Sequence, residues 1–397
     1  MNKGDNILVF AYYSVKDPVF QSAVLGYLRK LRLPPGQYFV LLTFENYRFP
    51  LTADERIDFD KQFADLGIVW VTQTWRSGLF KILKKLLDLI ETLILGVRLI
   101  YKYKIGTIYS EGFPGAILSH YLSLITGKRH IVHTYEPHAE YMLEGGTWNS
   151  TDWEFKVLKK MERIVAKKAN GLITGTSAYK AHIDGWGYST EVHVIPSCID
   201  TDLFRFYPDK RGNIRSEFSI ADNEIVLVYL GKLGGMYMDD ELFKFFRNCF
   251  ESGNKFRFWI FTGDPHEEIL SKFDKYSLPH HITLVRQLEP TEVPYYLSAA
   301  DIGIVGVRPF PSKRYCSPIK TGEYWAAGLP VIIPRGIGDD FEIVESQNIG
   351  WVVNHLVDTY IDFHSLPLQS REYIRQVAIQ YRGLEGKLDH LKEILIG

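Results

Sequence analysis

Short runs rich in Val, Ile and Phe alternate with amphipathic segments along almost the whole chain, and this alternation restricts the fold more than any other feature. In the first half the strand-like runs are ILVFAYY (7–13), YFVLLTF (38–44), IVWVTQ (68–73), TIYSE (107–111), HIVHTY (130–135), GLITGT (171–176) and VHVIP (192–196). In the second half they are EIVLVYLG (224–231), FRFWIFTG (256–263), HITLV (281–285), DIGIVGV (301–307), PVIIP (330–334) and GWVV (350–353). Helical patterns lie between most of them, such as QSAVLGYLRKL (21–31) and WEFKVLKKMERIVAKKA (153–169). Apolar strands separated by helices predict parallel sheets covered on both faces. The pattern occurs twice, with a break at SCIDTDLFRFYPDK (197–210). The expected fold is therefore α/β, with two tandem Rossmann-like domains, a deep interdomain cleft and a C-terminal helical tail. The expected boundaries are 1–203, 204–371 and a helix over 372–397 packing back toward the N-terminal domain. A chain of 397 residues is long for one core, which agrees with two.

Composition narrows the function classes. The formal net charge of −1 provides no global basic field, which argues against nucleic acid as a partner. The three cysteines, Cys198, Cys249 and Cys316, are far apart, with no CxxC pair and no zinc-like spacing. The apolar run near the N-terminus is too short for a signal-peptide core, so the expected location is cytoplasmic. Residues 78–104, GLFKILKKLLDLIETLILGVRLIYKYK, form a long apolar helix pattern whose charges prevent it from spanning a bilayer. It reads as a core-facing helix, or as one that also rests on an anionic membrane surface.

The segment with most chemical content is SPIKTGEYWAAGLPVI (317–332). Ser317 suits an N-cap and Pro318 the first helical position, with the helix running to Ala327 and ending at Gly328. A helix start that follows a strand presents unpaired amides and a positive dipole end, which suits a phosphate. Lys320 opposes that dipole unless it helps neutralise a diphosphate. Glu323, on the same helical face, can accept paired hydrogen bonds from vicinal hydroxyls such as those of a ribose. The same spacing also suits an ordinary Lys–Glu surface pair.

These residues resemble the donor-nucleotide helix of family-4 glycosyltransferases, which have the GT-B fold. VIPSCIDTDLF (194–204) resembles the family's interdomain signature and VYLGKLGG (228–235) its first glycine loop. FTGDP (261–265) and HTYEPHAEYM (133–142) are similar to the turn after the second strand and to the loop facing the reacting sugar. The resemblance implies that a glycosyl unit moves from a nucleoside-diphosphate sugar, such as a UDP-sugar, to an acceptor hydroxyl with retained configuration. It implies no metal and no further cofactor, and a glycan or glycolipid acceptor in polysaccharide or lipid-linked glycan assembly. It further implies that Glu323 holds the ribose, while the peptide units at Ser317, Pro318 and Ile319, with Lys320, face the diphosphate. Gly231 and Lys232 form the other side of the phosphate site, and Gly263, Val285 and Arg286 border the base. Glu136 and His138 approach the acceptor and anomeric carbon, so that Glu136, His138 and Lys232 are the expected catalytic group.

The sequence departs from the family pattern in four places, one of them the first strand, which is followed by FAYYSVKDP with no glycine pair. Tyr315 stands where a second glutamate is usual, Lys232 where arginine is usual, and Met236 and Tyr237 where a basic residue is usual. Arg308, Lys313 or Arg314 would then restore the positive charge. A GT-B sugar-nucleotide epimerase or hydrolase, or a catalytically silent nucleotide-sugar binding protein, are the competing readings. Asp200-Thr201-Asp202 spells a metal-binding DxD but reads as a turn. His133 reads as a core histidine. Gly112–Gly115 suits either a simple turn or a close backbone approach to a ligand. There is no Walker A, GxSxG or GxGxxG motif.

Overall fold

In a computed structural model of the chain, every strand-like run becomes a parallel strand. The structure describes residues 6–46, 48–76, 81–253, 255–357 and 369–397. The chain divides into two compact units, one of residues 1–143, 147–195 and 387–397, the other of residues 144–146 and 196–386.

The N-terminal unit is built on β1 (Asn6–Ala11), β2 (Phe39–Glu45), β3 (Val69–Thr74), β4 (Ile105–Glu111), β5 (Arg129–Thr134), β6 (Gly171–Thr174) and β7 (Val192–Val194). They form one seven-stranded sheet in the order β3-β2-β1-β4-β5-β6-β7. The C-terminal unit has β8 (Ile225–Leu230), β9 (Phe256–Phe261), β10 (Thr283–Arg286), β11 (Ile302–Ile304), β12 (Val331–Pro334) and β13 (Gly350–Val353), in the order β10-β9-β8-β11-β12-β13. Each order reverses once, between β1 and β4 and between β8 and β11. In such sheets the crevice beyond the carboxyl ends at the reversal is the natural ligand site. The expectation of an α/β, doubly wound architecture in tandem therefore holds.

Both faces of the C-terminal sheet are buried, which explains the unbroken apolar runs. Val226, Val228, Val331 and Ile333 face a core shared with Tyr324, Trp325 and Val377. Their alternates Leu227, Tyr229, Ile304 and Ile332 face a second core with Phe243, Phe246 and Phe273.

Three local expectations need correction. The strand expected over 301–307 stops at Ile304, because residues 306–308 turn to bond the glycine loop: Met238 N–H donates to the Gly306 carbonyl at 2.7 Å and Arg308 N–H to the Met236 carbonyl at 3.0 Å. The tail is two helices, Arg371–Arg382 and Glu385–Ile396, not one. They separate where Ile199 inserts as a short parallel bridge, its N–H donating to Arg382 O (2.8 Å) and its carbonyl accepting from Leu384 N–H (3.0 Å). The helix expected over 78–104 spans Lys81–Lys102, and residues 78–80 lie outside the described residues.

Candidate functional site

In the C-terminal unit, the loops after β8 and β11 and the Ile319–Ala326 helix meet at the sheet's reversal point. The helix follows β11 through a short 3-10 turn, Pro311–Tyr315, so its first turn starts at the carboxyl edge of the sheet. Tyr324 anchors it there. The Tyr324 hydroxyl donates to the Ile304 carbonyl at 3.3 Å, tying the helix to the end of β11. Gly303 makes room for this ring, since a Cβ at that position would lie 2.6 Å from it.

The helix begins one residue later than expected. Pro318, not Ser317, is the N-cap, and the helix ends with Ala326, followed by Ala327 as C-cap and Gly328 at φ +74°. Ser317 does not cap because its hydroxyl is engaged elsewhere: it accepts from Ser197 N–H at 3.1 Å and from the Arg382 guanidinium. The Pro318 nitrogen carries no hydrogen. The donors that this end offers an anion are therefore the Ile319 and Lys320 amides, which lack intrahelical partners by position.

Lys320 and Glu323 are 3.0 Å apart. The pair is not an ordinary surface pair, because the Glu323 side chain is only 6% exposed while Lys320 is 38% exposed. Burial pushes the Glu323 carboxyl above the usual carboxylate range, and Lys320 offsets part of that shift. The carboxylate is thus paired with the Lys320 cation, and that cation reaches water.

Arg382 was not legible in the sequence, yet it sets the position of this helix. It is 1% exposed, pairs with Asp340 at 2.9 Å and donates to the Pro318 carbonyl at 2.7 Å. Burial raises the Asp340 carboxyl to about 6 despite the guanidinium.

The glycine loop after β8 is fixed by several bonds. The Gly231 amide donates to Phe261 O (3.0 Å), Leu233 N–H to the Asp264 carboxylate (2.7 Å), and the Tyr229 hydroxyl to the Lys232 carbonyl. The Lys232 side chain is exposed. Arg308, one of three residues expected to supply extra charge, instead braces this loop: it pairs with Glu241 at 2.9 Å and donates to Gly235 O at 3.0 Å. Of the other two, Lys313 is buried and Arg314 is exposed. At the expected base-binding wall, Gly263 is exposed and Val285 buried at the ends of β9 and β10. Arg286 turns its guanidinium to the Tyr296 hydroxyl and lies 5.6 Å from the Phe218 ring centre.

In the N-terminal unit, Glu136 and His138 follow β5 as expected, both half-buried, with His138 opening the His138–Glu144 helix and stacking on Tyr141 at 5.8 Å. Two buried carboxyls beside them went unread in the sequence. Glu162 accepts from Ala139 N–H at 2.9 Å and so closes the start of that helix; burial raises it to about 8. Glu111, at the end of β4, accepts from the Tyr135 hydroxyl at 2.5 Å, and its other oxygen is buried with no hydrogen-bond partner among the described residues. Burial raises Glu111 to about 7. His133 is a buried core residue, its Nδ1 2.8 Å from the Tyr109 hydroxyl and its pKa lowered by burial to about 3. Residues Gly112–Gly115 are the first turn of the Gly112–Thr126 helix.

Asp200 forms the turn read from the sequence, its Oδ1 accepting from the Asp202 and Leu203 amides at 3.0 and 3.2 Å. The Asp200, Asp202 and Glu385 carboxylates approach within 4.8 Å of one another. They lie at the solvent-facing turn, and two of the three are exposed.

The fold is shared with known GT-B proteins. HepE of Anabaena, solved with UDP, with UDP and glucose, and with UDP-glucose, superposes with TM-score 0.71 at 14% identity over 98% of this chain and 99% of its own. WaaG, a glycosyltransferase involved in lipopolysaccharide biosynthesis, gives 0.65 at 12% over 99% of both chains. The UDP-GlcNAc 2-epimerase of Neisseria meningitidis, bound to UDP-GlcNAc, gives 0.59 at 11% over 98% and 99%. These likenesses define a GT-B fold. Residues 269–378, which include the 317–332 segment, match the family described as "Glucosyltransferase 3-like, C-terminal domain". No curated protein sequence matches the chain.

Proposed function

We propose that this protein is a glycosyltransferase of the family-4 type that takes its sugar from a nucleoside diphosphate, with the C-terminal unit holding the donor. One observation carries the reading. The Ile319–Ala326 helix starts at the reversal point of its sheet, with first-turn amides, a half-exposed Lys320 and a buried Glu323 all at one end. Diphosphate departure is the barrier in such a transfer. Helix amides and the Lys320 and Lys232 cations suit the charge that develops on the leaving group. Glu323 suits two adjacent ribose hydroxyls, since a buried carboxylate gains most from charge-assisted hydrogen bonds. UDP is the first candidate, because HepE and the epimerase were each solved with a uridine nucleotide. Lys232 contacts the phosphates in this reading, with Glu136 and His138 on the acceptor side, and the leaving diphosphate takes the acceptor's proton. The transfer retains configuration and uses no metal, and the acceptor is a glycan or glycolipid.

The epimerase neighbour keeps a second reading in view, because a shared GT-B fold does not separate transfer from epimerisation. The match of residues 269–378 to a glucosyltransferase domain favours transfer. A thermal-shift screen against uridine, guanosine and adenosine diphosphate sugars tests donor use, and the selected donor is then incubated with and without glycan acceptors. Sugar transfer to an acceptor is the expected result. Epimerised or hydrolysed donor with no acceptor present would favour the second reading.

A further inference from the structure

One face of the N-terminal unit is both apolar and basic. The connections β3 to β4, β4 to β5 and β5 to β6 all step the same way along the sheet. Right-handed crossovers in one direction place their helices on one face. Accordingly the Lys81–Lys102, Gly112–Thr126 and Trp153–Lys168 helices pack side by side there. Gly96 allows the first two to approach, since a Cβ at that position would meet Leu122 at 2.6 Å.

The outward sides of these helices are not those of an ordinary solvated surface. Leu87, Ile90, Ile94 and Tyr101 recur at helical spacing along one exposed stripe. Leu124 and Ile125 are 63% and 61% exposed on the next helix, and Trp153 and Val157 are exposed on the third. Contiguous exposed apolar groups of this kind mark an interaction surface. The charge beside them is of one sign. Arg98 and Lys102 on the first helix, and Lys156, Lys160, Arg163 and Lys167 on the third, are all exposed. Of the carboxylates on these helices, Asp88 and Glu162 are buried and Glu91 is held by Arg76 at 2.7 Å, which leaves Glu154. The chain as a whole is nearly neutral, at −1, so this basic face is a local concentration.

We infer that this face docks the protein on an anionic lipid bilayer, with the apolar side chains entering the headgroup boundary and the lysines and arginines meeting lipid phosphates. No helix among the described residues is long and apolar enough to cross a membrane, so the contact lies in the interface plane. A tryptophan among aliphatic residues and flanking cations is the composition such a plane selects. Juxtaposed cations add attraction only where the lipid is acidic. The inference stands apart from donor binding and does not depend on it.

Flotation of the full chain with phosphatidylcholine vesicles, with and without phosphatidylglycerol, tests it. The protein should float with the acidic vesicles, stay behind with the neutral ones, and be released by high salt. Lys156→Glu with Lys160→Glu, and separately Ile94→Ser with Leu124→Ser, should each lower partitioning at least about tenfold while thermal melting stays unchanged. Absence of flotation, equal flotation with neutral vesicles, or unchanged flotation of both variants would overturn it. So would a concentration-dependent dimer, seen by light scattering, that the apolar variant abolishes while vesicles are ignored. The assay needs neither donor nor acceptor, so its failure is separable from failure of the transferase reading.

Discussion

Arg382 and Asp340 lie 2.9 Å apart in the interior of the C-terminal unit, and through this pair the last turn of the Arg371–Arg382 helix fixes where the Ile319–Ala326 helix begins. The same guanidinium reaches the Pro318 carbonyl and the Ser317 hydroxyl. Removing one partner of a buried pair leaves an uncompensated charge and costs about 3–5 kcal/mol. Arg382→Met should lower the unfolding free energy by that order in urea titrations. Arg382→Met with Asp340→Leu should lose less than Arg382→Met alone, because no isolated charge then remains.

Gly306 offers a second test of the site's scaffold. A Cβ there would lie 2.0 Å from the Tyr229 ring, whose hydroxyl holds the Lys232 carbonyl. Gly306→Ala must displace that ring or the strand extension, and overpacking of this kind costs about 1–3 kcal/mol. Loss of thermal stability together with weaker nucleotide binding is the expected pair of results. Gly26→Ala serves as a control, since nothing among the described residues lies within 4 Å of its added Cβ.

The buried carboxyls of the N-terminal unit predict a pH dependence with a definite sign. Glu111 and Glu162 have folded pKa values raised to about 7 and about 8 from 4.5. The folded chain therefore binds more protons than the unfolded chain in this range, and stability falls as pH rises through those values. His130 and His133 act oppositely, lowered to about 3 from 6.5, and the last part of their gain, complete by about pH 7.5, offsets some of this loss. Between pH 6.5 and 8.5 these four groups together leave a net loss on the order of 2 kcal/mol. Urea midpoints across that window should decline, and Glu162→Gln should flatten most of the decline.

Much of the architecture was legible because a parallel sheet buried on both faces forces long apolar runs, and each run from ILVFAYY to GWVV became a strand. What was misread depends on contacts between residues distant in sequence. Ser317 has every local mark of an N-cap, yet its hydroxyl is taken by Arg382 and by the Ser197 amide. Arg382 itself sits in a helix tail rich in ordinary charges, and no local pattern distinguishes it from the half-buried Arg375 or Lys387. The Lys320–Glu323 spacing was read correctly as a shared helical face, but burial of Glu323 alone could not be inferred from it. Glu111 and Glu162 were missed for the same reason, since a carboxylate in a strand end or a charged helix looks solvated until its neighbours are placed.

The central claim, that the Ile319–Ala326 helix grips a nucleoside diphosphate through Lys320 and Glu323, is tested most directly by calorimetric titration of UDP, or of whichever diphosphate the screen selects. The wild-type chain should bind, and Lys320→Ala and Glu323→Ala should each weaken binding at least about tenfold, the loss expected from one charge-assisted hydrogen bond. Undiminished affinity in both variants would contradict the account.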